Sequence, residues 1–247
     1  MSLDDALALV RGWAAAAPHL AVLTGAGISA ESGVPTFRDA QTGLWVRLRP
    51  EDLATEEAFR AHPERVWDWY AQRRERVAQA LPNAGHLALA DFQQRHPGRL
   101  TLITQNVDGL HQRAGSTGVL ALHGQLAEDR WLDPPQPCCD PELAHKGSPP
   151  RCVRCGNLRR PAVVWFGEML PPQALGAAQQ AARQCALMLV VGTSGAVYPA
   201  AGLARIAREA GARVVVVNTA PSGLDDEAHA VLRGPAARVL PQLLSDL

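Results

Sequence analysis

The chain has 247 residues and a mass of 26.4 kDa, enough to bury roughly 70% of its unfolded surface without disulfides. Its 24 basic and 24 acidic residues balance to zero net charge with a pI near 7.1. That balance argues against a nucleic-acid-binding domain, whose phosphate contacts demand a basic excess or stripe, and a hydrophobic fraction of 47% is too high for a disordered chain.

Residues 1–17 are amphipathic and predict a helix over Leu3–Ala17, with neither the basic start nor the apolar run of a signal peptide. No stretch approaches the roughly 18 apolar residues that would cross a bilayer, so a cytoplasmic protein without a membrane partner is expected. A strand follows at Leu20–Thr24. Residues 41–80 hold no strand-like run but carry a Trp/Tyr/Arg-rich helical segment, Pro63–Val77. A helix is predicted over Gly85–Arg95, then strands at Leu100–Thr104 and Val119–Leu122. Residues 124–160 are rich in Pro, Cys and charge. A helix over Pro172–Gln184, a strand at Leu187–Val191, a helix over Ala200–Ala210 and a strand at Arg213–Asn218 complete the series.

The strand candidates are continuously apolar, as strands covered on both faces must be, and they alternate with helices. The expected fold is α/β, a doubly wound, Rossmann-like parallel sheet. Its main domain takes residues 1–40, 81–123 and 161–247. The insertions 41–80 and 124–160 are expected to form a second, smaller lobe across a cleft from the carboxyl ends of the strands, where ligands of such sheets bind.

The first strand ends in Gly25-Ala26-Gly27-Ile28-Ser29-Ala30, a G-x-G-x-x-A turn of the kind that lets backbone approach a pyrophosphate at a helix N-terminus. No acid stands at a strand end about 20 residues on, so an ordinary dehydrogenase arrangement is not expected. His123 lies at another strand end, and imidazole suits general-base work near neutrality. Asn106 and Asp108 follow the neighbouring strand.

The uninterrupted run from Gly25 through Glu31, Thr36, Phe37 and Arg38 to Asp39 resembles the sirtuin family of NAD-dependent protein lysine deacylases. Gln105-Asn-Val-Asp108, Leu122-His-Gly124, Val163-Val-Trp-Phe-Gly-Glu168, Gly192-Thr-Ser194, Val217-Asn218 and Gly234-Pro-Ala236 follow in the family's order. The resemblance implies attack of an acyl-lysine carbonyl oxygen on the ribose of NAD, loss of nicotinamide, and His123 as base for a ribose hydroxyl. O-acyl-ADP-ribose and free lysine result. It also implies that Asn106 orients ribose and water, that Asp108 binds the nicotinamide carboxamide, and that Gln105 belongs to the cofactor site. Phe37 would shield the sugar, and Arg38 would face the phosphates. Gly25, Ala26, Gly27, Glu31, Thr36, Gly192, Thr193, Ser194, Asn218 and Ala236 would complete the nucleotide site. Val164, Trp165, Phe166, Gly167 and Glu168 would line the channel for the acylated lysine of a protein or peptide partner, bound as an added strand. A mono-ADP-ribosyltransferase uses the same chemistry with another acceptor. A silent nucleotide reader would not need His123 and Asn106.

Tyr70 and Arg73 are three apart on the predicted helix and share a face. A phenol beside a guanidinium makes a receptor for a carboxylate. Within the family this Y-x-x-R resembles the desuccinylase and demalonylase branch, so succinyl and malonyl are expected substrates beside acetyl. Arg74 and Arg76 are read as solvated.

The family usually holds zinc through two C-x-x-C pairs. Cys152-Val-Arg-Cys155 supplies one. Where the other should stand, this chain has Trp131-Leu-Asp-Pro134. The adjacent Cys138 and Cys139 are the nearest candidates to complete the site. Neighbouring residues rarely reach one tetrahedral ion, so the favoured expectation is a metal-free lobe packed around Trp131 and prolines. Cys185 is read as core.

Overall fold

A computed structural model describes residues 2–35, 52–245 and 247. Among these, six parallel strands form the main sheet: β1 (Leu20–Thr24), β2 (Leu100–Thr104), β3 (Leu120–Ala121), β6 (Leu187–Val191), β7 (Arg213–Asn218) and β8 (Ala230–Arg233). Their spatial order is β3-β2-β1-β6-β7-β8, which matches the expected doubly wound class. The direction of winding reverses between β1 and β6, and a crevice opens there at the carboxyl ends. β1 pairs in register with both neighbours, Leu20 opposite Leu100 and Leu187.

The continuous apolarity of these strands has a direct physical cause. Leu20, Val22, Leu187, Leu189, Val215 and Val217 bury on one face against α1 (Leu3–Ala16), α4 (Ala84–Arg95) and α8 (Ala236–Leu244). Ala21, Leu23, Met188, Val190, Val214 and Val216 bury on the other against α6 (Pro172–Gln184) and α7 (Gly202–Glu209). Local chemistry sets the helix starts. Ser2 and Asp5 form a reciprocal capping box on α1, Asn83 caps α4, and Pro172 opens α6 where its missing N–H costs nothing.

The small lobe has its own sheet and core. β4 (Gly124–Trp131) and β5 (Arg159–Val163) pair antiparallel, so the boundary drawn after residue 160 falls inside a strand. α2 (Glu56–Ala61) and α3 (Pro63–Gln79) cover this sheet, and Leu53, Phe59, Val66, Tyr70, Leu126, Val163 and Trp165 form the core. The lobe is therefore packed around Trp165. Trp131 is half-buried beneath the Arg159 guanidinium, and Pro134, Pro135 and Pro137 are exposed. Arg74 is not solvated: it donates to Leu126 O at 2.6 Å and pairs with Asp129, tying α3 to β4. Arg76 is exposed, as read.

Candidate active site

The loops at the carboxyl ends of β1, β2, β3, β6 and β7 meet at the crevice. Gly25 and Gly27 are needed there, for a reason other than a ligand's approach. A Cβ on Gly25 would lie 2.8 Å from Gly192 O, and one on Gly27 would lie 2.7 Å from Gly192 Cα. Gly192 itself has φ +61°, and a Cβ on it would stand 2.4 Å from Ile28 N. The three glycines let two loops touch through bare backbone, sealed by Gly27 N donating to Gly192 O at 2.7 Å. Ala26 opens the short 3-10 segment 26–32 behind them.

Polar groups line the rim. Gln105 Nε2 donates to Thr193 Oγ1 at 3.1 Å, and Asn218 Nδ2 to Thr193 O at 2.9 Å. Ser194 is exposed beside them. Asn106 spends its amide N–H bonds on Gly25 O and Ser29 Oγ, both at 3.1 Å, which leaves its oxygen as the group available for other work. Asp108 accepts from Ser29 Oγ at 2.7 Å and from Leu110 N at 2.9 Å. Glu31, expected at the nucleotide, accepts from Ala237 N at 2.9 Å and so caps α8, whose first residue Ala236 packs against Gly85. Thr36, Phe37 and Arg38 lie outside the described residues.

His123 follows β3 and is half-buried. Its Nδ1 lies 2.9 Å from Gln105 O, an acceptor only, so Nδ1 carries the hydrogen and Nε2 keeps its lone pair. Burial holds its pKa below the usual 6.5. Its carbonyl accepts from Val164 N at 2.9 Å, which couples the imidazole to the small lobe. Gly124 next to it has φ +78°, and a Cβ there would meet Ala162 O at 2.0 Å.

Beneath the rim lies a buried network that sequence reading missed. Thr24 and Thr104 hydroxyls bond at 2.8 Å, and His111 Nε2 lies 2.9 Å from Thr24 Oγ1. His86 and His111 pack with ring centroids 4.9 Å apart. Burial lowers His86 to about 4, and burial with His86 alongside lowers His111 to about 3, so both stay neutral. Lone histidines in helical stretches carry no signal of this; only the sheet brings Thr24 and Thr104 beneath them.

On the small-lobe side, Tyr70 is buried and its hydroxyl accepts from Trp165 Nε1 at 2.9 Å. Burial pushes its pKa up to about 12, so the phenol is protonated at neutral pH. Arg73 is half-buried with its guanidinium over Trp69 and makes no ion pair among the described residues. Burial lowers its pKa, with Tyr70 and Asp108 as the neighbouring groups that oppose the shift. Val164 is half-buried, Phe166 is half exposed, and Gly167 takes φ +85° in the turn between them and Glu168. Glu168, expected at the channel, is engaged within the lobe. Its carboxylate accepts from Trp165 N at 2.8 Å and pairs with Arg160 and Arg130, because the turn directs it inward.

The four clustered thiols do converge. The sulfurs of Cys138, Cys139, Cys152 and Cys155 all lie within 4.8 Å of one another, with Cys139 and Cys155 at 3.5 Å. The turn at 136–139, closed by Cys139 N on Gln136 O, brings the adjacent thiols to one centre. Tetrahedral zinc bound through sulfur at about 2.3 Å would space its ligands about 3.8 Å apart, so the donor set fits. Cys185 is buried core, as expected.

A model of the Sir2 family matches residues 25–199. The chain belongs to the Sir2 family. A protein of Ralstonia nicotianae called NAD-dependent protein deacylase is 58% identical over 96% of both chains. A Sir2 homologue crystallised with NAD is 43% identical with a TM-score of 0.85, covering 97% of this chain and 92% of its own. A Sir2 protein crystallised with a p53 peptide and NAD+ is 32% identical with a TM-score of 0.81, covering 100% and 98%. NAD is the co-substrate of this Sir2 chain, and the rim offers what that molecule requires. Hydroxyl and amide donors stand at Gln105, Thr193, Ser194 and Asn218, and the acceptors are Asp108 and Asn106 Oδ1.

Proposed function

We propose that this NAD-dependent protein deacylase removes succinyl and malonyl groups from protein lysine in preference to acetyl, which it also accepts. The observation that carries the preference is Arg73: a half-buried guanidinium without an ion pair among the described residues, on the same helix face as a protonated phenol. A desolvated charge is costly until an opposite charge arrives, and the dicarboxylic acyl groups bring one.

Bound NAD supplies a nicotinamide–ribose bond whose breakage leaves an electrophilic sugar carbon. His123 offers Nε2 as base for a ribose hydroxyl, its tautomer set by Gln105 O. Asn106 Oδ1 orients ribose or water. Asp108 retains lone pairs for a carboxamide N–H beyond those used by Ser29 and Leu110. Phe166 and the 88%-exposed Met169 present the turn along which an acylated peptide would lie as an added strand.

Rates on matched succinyl-, malonyl- and acetyl-lysine peptides, with and without NAD, test this reading. The acidic acyl groups are expected to react faster, only with NAD, releasing nicotinamide and O-acyl-ADP-ribose. A faster acetyl reaction would overturn the preference. We also infer that the four thiols hold structural zinc. Elemental analysis of protein purified without added metal is expected to find one equivalent, and replacing Cys152 by serine is expected to lower both zinc content and melting temperature.

A further inference from the structure

Trp165 is 2% exposed and held on several sides. Phe59 packs at 5.3 Å between ring centroids, and the Arg160 guanidinium carbon lies 3.2 Å from the indole centroid. Arg160 is itself 1% exposed. It is fixed by the Glu168 carboxylate and by donation to Val163 O at 2.8 Å, while Glu168 accepts from Trp165 N at 2.8 Å and from Arg130 at 2.9 and 3.0 Å. A buried ion pair thus clamps the indole plane and the turn that carries it. Arg160 has no place in the nucleotide rim, and the Glu168 carboxylate is taken up by Arg160, Arg130 and Trp165 N, so this pair needs another account.

The clamp determines where one hydrogen goes. An indole nitrogen only donates, and Trp165 Nε1 donates to the Tyr70 hydroxyl at 2.9 Å. A phenol whose oxygen is occupied by a donor keeps its own hydrogen to give elsewhere. We propose that Trp165, clamped by Arg160 and Glu168, is a positioning residue that sets acyl selectivity by occupying the acceptor side of Tyr70, leaving its hydroxyl as a committed donor beside Arg73. A carboxylate, which only accepts, matches that arrangement. An acetyl methyl does not, and leaves a buried donor without a partner. The proposal rests on the acidic-acyl reading and adds how the phenol is oriented within it.

The test is a double-mutant cycle on the full chain, reading kcat and KM for succinyl- and acetyl-lysine peptides. Trp165→Phe keeps an aromatic plane and removes the N–H. It is expected to lower the succinyl-to-acetyl ratio of kcat/KM roughly three- to tenfold, mostly through a higher KM for the succinyl peptide. Tyr70→Phe is expected to lower the ratio as well, and adding Trp165→Phe to it is expected to change nothing further. If melting shows that Trp165→Phe fails to fold, benzothienylalanine at position 165, isosteric with sulfur in place of N–H, gives the same readout. A ratio unchanged in the folded variant, equal losses on both substrates, or additive effects in the cycle overturn the proposal while the wild-type preference stands. A wild type without succinyl preference overturns it together with the reading beneath it.

Discussion

Replacing His123 by alanine is expected to slow acyl removal at least a hundredfold while the fold survives. A positioned general base contributes on the order of a hundred- to ten-thousandfold, and no other imidazole is offered in its place: His86 and His111 are engaged beneath the rim. Among the described residues the side chain gives the fold its Nδ1 bond to Gln105 O, worth about 1 kcal/mol, and the backbone link from Val164 N remains. Melting temperature and initial rate together check both halves, and deacylation near the wild-type rate would sink the base assignment. The same geometry sets a pH dependence. The neutral imidazole is the active form and burial lowers its pKa, so kcat/KM is expected to rise with pH through an inflection below 6.5 and then level off. An inflection above 7 would point to a different group.

Replacing Arg73 by methionine is expected to harm desuccinylation roughly ten- to a hundredfold more than deacetylation. The change keeps an unbranched side chain on α3 and removes the charge. Losing a charge-assisted hydrogen bond costs on the order of 1.5–3 kcal/mol, and the loss falls on the substrate that carries the carboxylate. Arg73 makes no ion pair among the described residues, so its removal leaves no carboxylate there stranded, and the melting temperature is expected to hold or rise slightly. Rates on the matched peptides decide. Equal losses on both would mean that Arg73 serves the scaffold or the nucleotide, not the acyl group.

Most of the main sheet was legible because both of its faces are covered, although β8 (Ala230–Arg233) went unread and β3 is shorter than the expected Val119–Leu122. Leu20–Thr24, Leu100–Thr104, Leu187–Val191 and Arg213–Asn218 read as strands from apolarity alone, and the structure has them at those bounds. The small sheet was not legible: Glu128, Asp129 and Arg130 interrupt β4, and Pro161 stands inside β5, so neither run shows a strand period. The short α8 hid behind Pro241 within it. Family motifs located the rim residues in sequence but not the direction of each side chain. Glu31 caps a helix and Glu168 closes an internal ion pair, facts that only the fold of their turns decides. The convergence of the four thiols was hidden for a related reason, since adjacency in sequence says nothing about a turn that brings both sulfurs to one side.

The seam of Gly25, Gly27 and Gly192 has a consequence for how such an enzyme can change. Where main chain touches main chain, a point substitution has no side chain to exchange, only a methyl group to jam in. The seam itself is therefore closed to gradual alteration, whereas the small lobe across the gap makes its contacts through exchangeable groups such as Tyr70, Arg73 and Trp165.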